Sequence, residues 1–213
     1  MTNVTRILTL AAALAFTGPL LAQETTTEPA PSAEPAEPAP ADAASADGLS
    51  MGQEPADGVG STYVKASFEQ WEQRCVKAED GKDPCQLYQL LKDADGNSVA
   101  EITLFGLPDG GEAAAGATVV APLETLLTSG LTVGVDAGKA KIYPFTFCAP
   151  VGCIARIGFT AEEVAQFKKG AKAVVTIVPA VAPDQKVVLD VSLKGFTAGF
   201  DAVNAANAAS EAP

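Results

Sequence analysis

The sequence predicts an all-β fold, mainly antiparallel and sandwich- or barrel-like, with one short α-helix and two disulfides. Three observations carry that expectation: short runs of period-two alternation, glycine and proline between the runs, and four cysteines set as two close pairs, Cys75 with Cys85 and Cys148 with Cys153. Alternation puts successive side chains on opposite faces of a strand. Gly130, Gly138, Pro122, Pro179 and Pro183 divide the runs. Many short strands divided in this way favour an antiparallel sandwich or barrel over a parallel sheet with helical crossovers.

In chain order, Cys85, Leu87, Gln89 and Leu91 alternate against Gln86, Tyr88 and Leu90, and Ala100, Ile102 and Leu104 alternate against Val99, Glu101, Thr103 and Phe105. Asp93-Ala94-Asp95-Gly96-Asn97 between them is turn chemistry, so the two runs read as a hairpin. Further strands are expected over 118–121, 131–135, 140–147, 154–159, 171–178 and 186–193. The strand Val187, Leu189, Val191, Leu193 leads into Phe196 and Phe200, which are expected in the core. The helix is expected after Thr160. Thr160 with Glu163 forms a capping box, Val164 and Phe167 share a face, and Gly170 marks the stop. At about two and a half turns it cannot stand alone, so Val164 and Phe167 should cover the open edge or end of the sheet.

Composition divides the chain. Residues 1–22 read as a signal peptide: Arg6 precedes an apolar run from Ile7 to Phe16, Gly18-Pro19 breaks it, and Leu20-Leu21-Ala22 offers a small-residue cleavage site before Gln23. That run falls short of the roughly 20 apolar residues needed to cross a bilayer. Residues 23–60 hold six prolines, no aromatic residue and eight acids without a lysine or arginine. Such a segment cannot bury enough apolar surface to offset its ordering entropy, so it reads as a disordered acidic linker. Residues 61–203 form the folded domain, and 204–213 read as a flexible C-terminal tail of small residues.

The formal net charge is -12, and residues 61–213 carry 18 acidic against 13 basic side chains. No basic patch is available for nucleic acid or anionic lipid. The chain contains no histidine, which removes the usual general base and the commonest metal ligand. Asp93, Asp95 and Asn97 open like a calcium loop, but its sixth and twelfth positions hold Ser98 and Leu104, not glycine and glutamate. Glu162 and Glu163 lie in a helix's first turn, where they favour the dipole. No catalytic residue, metal or cofactor is nominated.

An export signal delivers the cysteines to an oxidising compartment, where an even set reads as disulfides. Local pairing is the simplest of the three connectivities: Pro150 and Gly152 let the four-residue loop double back, and Gly81 with Pro84 bends the nine-residue one. A thioredoxin-like redox site wants two residues between its cysteines, and a zinc site wants tight two-residue knuckles. The loop Ala149, Pro150, Val151, stiffened by Cys148 and Cys153, is the candidate binding loop, alongside its plainer reading as a strand-end staple.

Trp71-Glu72-Gln73-Arg74-Cys75, Cys85-Gln86-Leu87-Tyr88-Gln89, Asp136, Phe147-Cys148, Gly152-Cys153 and Val191-Ser192-Leu193-Lys194-Gly195-Phe196 occur in the order and spacing of the invasion-associated locus B family. The resemblance spans roughly residues 66–200. It implies a small exported envelope protein of alphaproteobacterial type, periplasmic, outer-membrane associated or secreted, and carries over no catalytic residue. The function expected is a non-catalytic binding or envelope-support module with an unidentified envelope or host protein partner. The alternative is a surface factor promoting host-cell attachment or invasion.

Overall fold

A computed structural model describes residues 57–108 and 111–211. The expected signal peptide and all but the end of the expected linker lie outside these residues. Eleven strands form one sheet: β1 (Thr62–Phe68), β2 (Trp71–Val76), β3 (Cys85–Lys92), β4 (Ser98–Gly106), β5 (Ala115–Ala121), β6 (Leu131–Val135), β7 (Lys141–Tyr143), β8 (Phe147–Ala149), β9 (Gly152–Phe159), β10 (Lys172–Ile177) and β11 (Val187–Ser192). Helix α1 (Ala161–Lys169) precedes β10 and α2 (Phe196–Glu211) follows β11. Every pairing is antiparallel, in the order β7-β6-β10-β11-β3-β4-β5-β9-β8, with β2 on the edge of β3 and β1 on β2. The terminal strands β7 and β8 are consecutive in the chain yet share no ladder. The sheet is therefore a half-barrel or sandwich, curled but not closed.

Alternation decides the inside. Leu87, Leu91, Ile102, Leu104, Val119, Ile157, Phe159, Val175, Leu189 and Val191 are buried, while their neighbours one residue away lie on the outer face. Each such side chain contributes about 1.5–3 kcal/mol of apolar burial. Phe196 and Phe200 are in the core, as the sequence predicts. A run of ring contacts passes from Trp71 to Phe196 (5.4 Å), Phe167 (5.4 Å) and Phe159 (5.0 Å), then to Tyr143 (6.0 Å). It joins β2, α2, α1, β9 and β7 into one core.

β2 and β11 lie end to end on one edge of β3, where β2 pairs with Cys85 to Tyr88 and β11 meets β3 at Lys92. Between them the buried Gln89 carboxamide accepts from the Ser192 backbone N–H (2.9 Å) and donates to its carbonyl (3.1 Å). It replaces a peptide unit where the ladder splits, so a glutamine at a core-facing position leaves no polar atom unpaired. Trp71 Nε1 donates to the same carbonyl at 2.7 Å.

Two expectations need correction, and two strands were not anticipated. The single strand expected over 140–147 is two strands. Pro144 has no N–H for a ladder, and its flanks join different neighbours, Tyr143 opposite Leu131 and Phe147 opposite Ile154. Residues 204–211 are not a tail but the second half of α2. They are held by tertiary bonds: Asn204 Oδ1 accepts from the Gly106 N–H (2.9 Å), and the Asn207 carboxamide accepts from the Cys85 N–H (2.8 Å) and donates to its carbonyl (2.9 Å). These amides cap β3 and β4 where the two strands diverge. Asn207→Ala leaves both Cys85 groups unpaired and is expected to cost about 2 kcal/mol in urea denaturation. β1 and β2 form a hairpin that is not among the strands expected from sequence, with β1 interrupted by a register shift between Val64 and Ala66.

Helix α1 has the expected capping box: Thr160 Oγ1 accepts from the Glu163 N–H, and the Glu163 carboxylate accepts from the Thr160 N–H at 2.9 Å. Phe167 is buried and Val164 packs on the core. Glu163 also pairs with Lys141 Nζ (2.8 Å) and accepts from the Tyr143 hydroxyl (3.1 Å), tying α1 to β7. Burial opposes the Glu163 carboxylate, but Lys141, the Thr160 N–H and the Tyr143 hydroxyl outweigh it and hold its pKa below the ordinary range. Burial, then the Glu163 hydrogen bond and charge, push the Tyr143 phenol up to about 12. Because the neutral phenol is the form favoured by folding, this contribution is complete below the unfolded pKa of about 10 and is lost as pH rises through about 12. Urea midpoints measured across that window should fall more steeply for the native protein than for Tyr143→Phe.

Candidate functional site

The cysteine pairs stand directly opposite each other across antiparallel ladders, Cys75 facing Cys85 between β2 and β3, and Cys148 facing Cys153 between β8 and β9. Both pairs are disulfide-bonded, each with a Cα separation of 4.0 Å. Register places them at opposite ends of the sheet. At one end lie Cys75–Cys85, the Gly106 end of β4, the Ala115 end of β5 and the polar contacts of α2. Gly60 N–H donates to the Lys77 carbonyl at 2.8 Å, so the described chain also begins at that end. The other end holds Cys148–Cys153, the Ala121 end of β5, the start of β4 and the Asp93–Asn97 turn.

That turn closes on itself. Asp93 Oδ1 accepts from the backbone N–H groups of Asp95 (3.0 Å) and Asn97 (2.8 Å), and Oδ2 from the Asn97 side chain (3.0 Å). The Asn97 bonds, its side chain's first, lower the Asp93 pKa. The carboxylate of the calcium-like cluster is thus committed to turn donors, as an Asx turn requires.

In the candidate loop, Ala149 is half-buried, Pro150 is exposed, and Val151 is 69 % exposed. Gly152 turns the chain back at φ +144, and a Cβ there would meet the Ala121 carbonyl oxygen at 2.4 Å. The loop is therefore pressed by its base against β5 and lifts its apolar tip outward. The Leu123 carbonyl lies 4.0 Å from Cys153 Sγ, and Leu123 is itself 58 % exposed.

Cross-strand register extends this apolar tip over the outer face: Phe147 stands opposite Ile154, Ile154 opposite Val120, Val120 opposite Glu101, and Glu101 opposite Leu90. Phe147 and Leu90 are both substantially exposed. A shallow groove of about 320 Å³ runs beside the loop, lined by Leu90, Val99, Val120, Pro122 and Val151 among others. Exposed apolar side chains gathered on one pole are more informative than the same residues scattered singly. Of this cluster the sequence nominated only the loop. Val120 and Ile154 carried alternation, but nothing local shows which strand lies beside which. Leu123 and Leu90 carried no signal beyond apolarity at a turn or on an outward face.

A second cleft, of about 620 Å³, opens over the split between β3 and β11. Gln89, Ser192, Leu90 and Val188 line it, with Lys92, Lys194 and the Lys172–Asp190 ion pair (3.0 Å). Its charges are mixed. Among the described residues no group of three or more cysteine and carboxylate side chains could hold a metal ion, and no helix is long and apolar enough to cross a membrane.

A curled antiparallel sheet stapled across both ends by disulfides, with two helices against its core and an apolar tip at one pole, defines a small disulfide-stabilised β domain. Over residues 71–204 the chain matches the model of the invasion associated locus B (IalB) protein family, and it belongs to that family. It is 28% identical over 147 residues to the invasion protein B homologs of Brucella abortus strain 2308 and of Brucella abortus biovar 1 strain 9-941, covering 68% of this chain and 82% of each relative. The fold is similar to the crystal structure of invasion associated protein b from Bartonella henselae, with a TM-score of 0.54 and 21% identity over 65% of this chain and 94% of that one.

Proposed function

We propose that this chain is an exported, non-catalytic envelope protein whose domain is a binding or envelope-support module, contacting a protein partner through the pole at Cys148–Cys153. The observation that carries this reading is the exposed tip: Val151 stands out from a loop that the disulfide closes, and Leu123 is exposed beside it. A loop held in shape loses little entropy on binding, so its apolar contacts are retained as affinity. The pole also lies away from the end at which the described chain begins, which leaves it accessible if the N-terminal segment tethers the domain. The charge balance gives no basic surface for nucleic acid. The carboxylates with lowered pKa, Asp83, Asp93 and Glu163, are each engaged by a structural hydrogen bond.

The test is capture of envelope proteins by the folded domain. Val151→Asp with Leu123→Asp changes two exposed side chains, so folding stability should move by no more than about 0.5 kcal/mol per site. Capture should be lost; retention of the same partners at unchanged affinity would place the contact elsewhere. The names of the Brucella and Bartonella relatives favour a second reading, a surface or secreted factor promoting host-cell attachment or invasion. Cell fractionation separates the two: a protein confined to the periplasm serves the first, and one exposed on intact cells serves the second.

A further inference from the structure

We propose that the Cys148–Cys153 bond is a thiol–disulfide exchange site, attacked at Cys148 by thiolates from solution, while Cys75–Cys85 stays closed as long as the domain is folded. The two bridges share a place in their ladders but not an environment. Cys75 and Cys85 are 0% and 4% exposed and belong to the hydrophobic core. Cys148 is exposed, on a three-residue terminal strand between the exposed Phe147 and Pro150, whereas Cys153 is 1% exposed. A thiolate must approach a disulfide sulfur from the side away from its partner, so access selects both the bond and the sulfur. Cys148 is the exposed residue of the pair and Cys153 the buried one, so attack is assigned to Cys148 with Cys153 as the leaving group.

In the first step the incoming sulfur bonds to Cys148 Sγ, the electron pair of the S–S bond passes to Cys153 Sγ, and Cys153 takes up a proton. The Leu123 carbonyl, 4.0 Å away, is positioned to accept from the new thiol. A second thiolate, or the other sulfur of a dithiol, then displaces the first from Cys148. The result is two protein thiols and one oxidised disulfide of the reductant. The β8–β9 ladder keeps the two cysteines opposed, so exchange with an oxidised disulfide from solution, which takes up the two electrons and leaves as two thiols, closes the bond again. Cys148 lies outside the buried core, and Cys153, though buried, is not part of its contiguous cluster. Opening therefore loosens the Val151 tip while the β8–β9 ladder and the rest of the domain stay folded, which makes the apolar pole responsive to thiols.

Graded reduction of the oxidised full chain by dithiothreitol, quenched with iodoacetamide and mapped by peptide mass, tests the selectivity. Cys148 and Cys153 should be alkylated at least about tenfold faster than Cys75 and Cys85 while the buried Trp71 keeps its emission, because local opening requires less free energy than global unfolding. Equal rates for the two pairs would overturn the proposal, as would alkylation of Cys148 and Cys153 only in step with a red shift of Trp71. The attacked sulfur is assigned with oxidised glutathione on two variants confirmed to be folded by Trp71 emission. Cys153→Ser should form its adduct at Cys148 at least about tenfold faster than Cys148→Ser forms one at Cys153. Equal rates would refute the assignment to Cys148.

Discussion

Trp71→Ala is expected to destabilise the domain by about 4 kcal/mol, in the upper range for truncating a buried aromatic side chain. The indole has no exposed surface, meets the Phe196 ring edge-on at 5.4 Å, and begins the run of rings that joins β2 to both helices. Truncation leaves a cavity under α2 that the stapled β2–β3 hairpin cannot collapse into. It also removes the Nε1 donor to the Ser192 carbonyl, though Gln89 Nε2 still reaches that oxygen at 3.1 Å. Trp71→Phe keeps most of the volume and should cost about 1–2 kcal/mol, separating cavity from hydrogen bond. Urea denaturation followed by far-UV circular dichroism gives both values, since Trp71 is the chain's single tryptophan. An alanine variant within 1 kcal/mol of the native protein would mean the cleft over β3 and β11 relaxes freely into the space.

What could be read in the sequence was local. The hairpin around Asp93 to Asn97, the capped helix after Thr160, the disulfide pairs and the burial of Phe196 and Phe200 all follow from periods, caps and spacings that span a few residues. What could not be read was contact between distant residues. The apparent strand over 140–147 is broken because its halves pair with β6 and β9, partners chosen by the whole sheet. The Ala-Asn-rich end reads as a tail because its helix has little apolar periodicity. It is held by Asn204 and Asn207, whose bonds to Gly106 and Cys85 are side-chain to backbone and carry no hydrophobic signal. The candidate binding pole was half legible for the same reason: the Cys148–Cys153 loop is a sequence feature, but the Leu123, Phe147 and Leu90 around it are assembled by register.

Gly195 shows how a residue with no side chain can fix a fold that its neighbours only suggest. It lies between Ser192 at the end of β11 and Phe196 at the start of α2, with φ +82. A Cβ placed there would stand 2.3 Å from the Phe68 carbonyl oxygen and 3.2 Å from the Glu69 Cβ. Glu69 itself has φ +57 in the turn of the β1–β2 hairpin. The glycine thus admits the hairpin turn against the start of α2, and the buried Phe196 beside it enters the aromatic core. Gly195→Ala is expected to cost about 3 kcal/mol: about 1 for a methyl-bearing residue in the left-handed region, the rest for displacing a backbone carbonyl that has nowhere to retreat. Gly96→Ala is the internal control. Gly96 has a nearly equal φ of +85 but nothing within 4 Å of its would-be Cβ, so it should lose only the conformational share, about 1 kcal/mol. The difference between the two urea-derived stabilities isolates the contact between hairpin and helix. If Gly195→Ala proves no worse than Gly96→Ala, the approach to Phe68 is loose, and α2 is held to the sheet by its asparagines and aromatic rings alone.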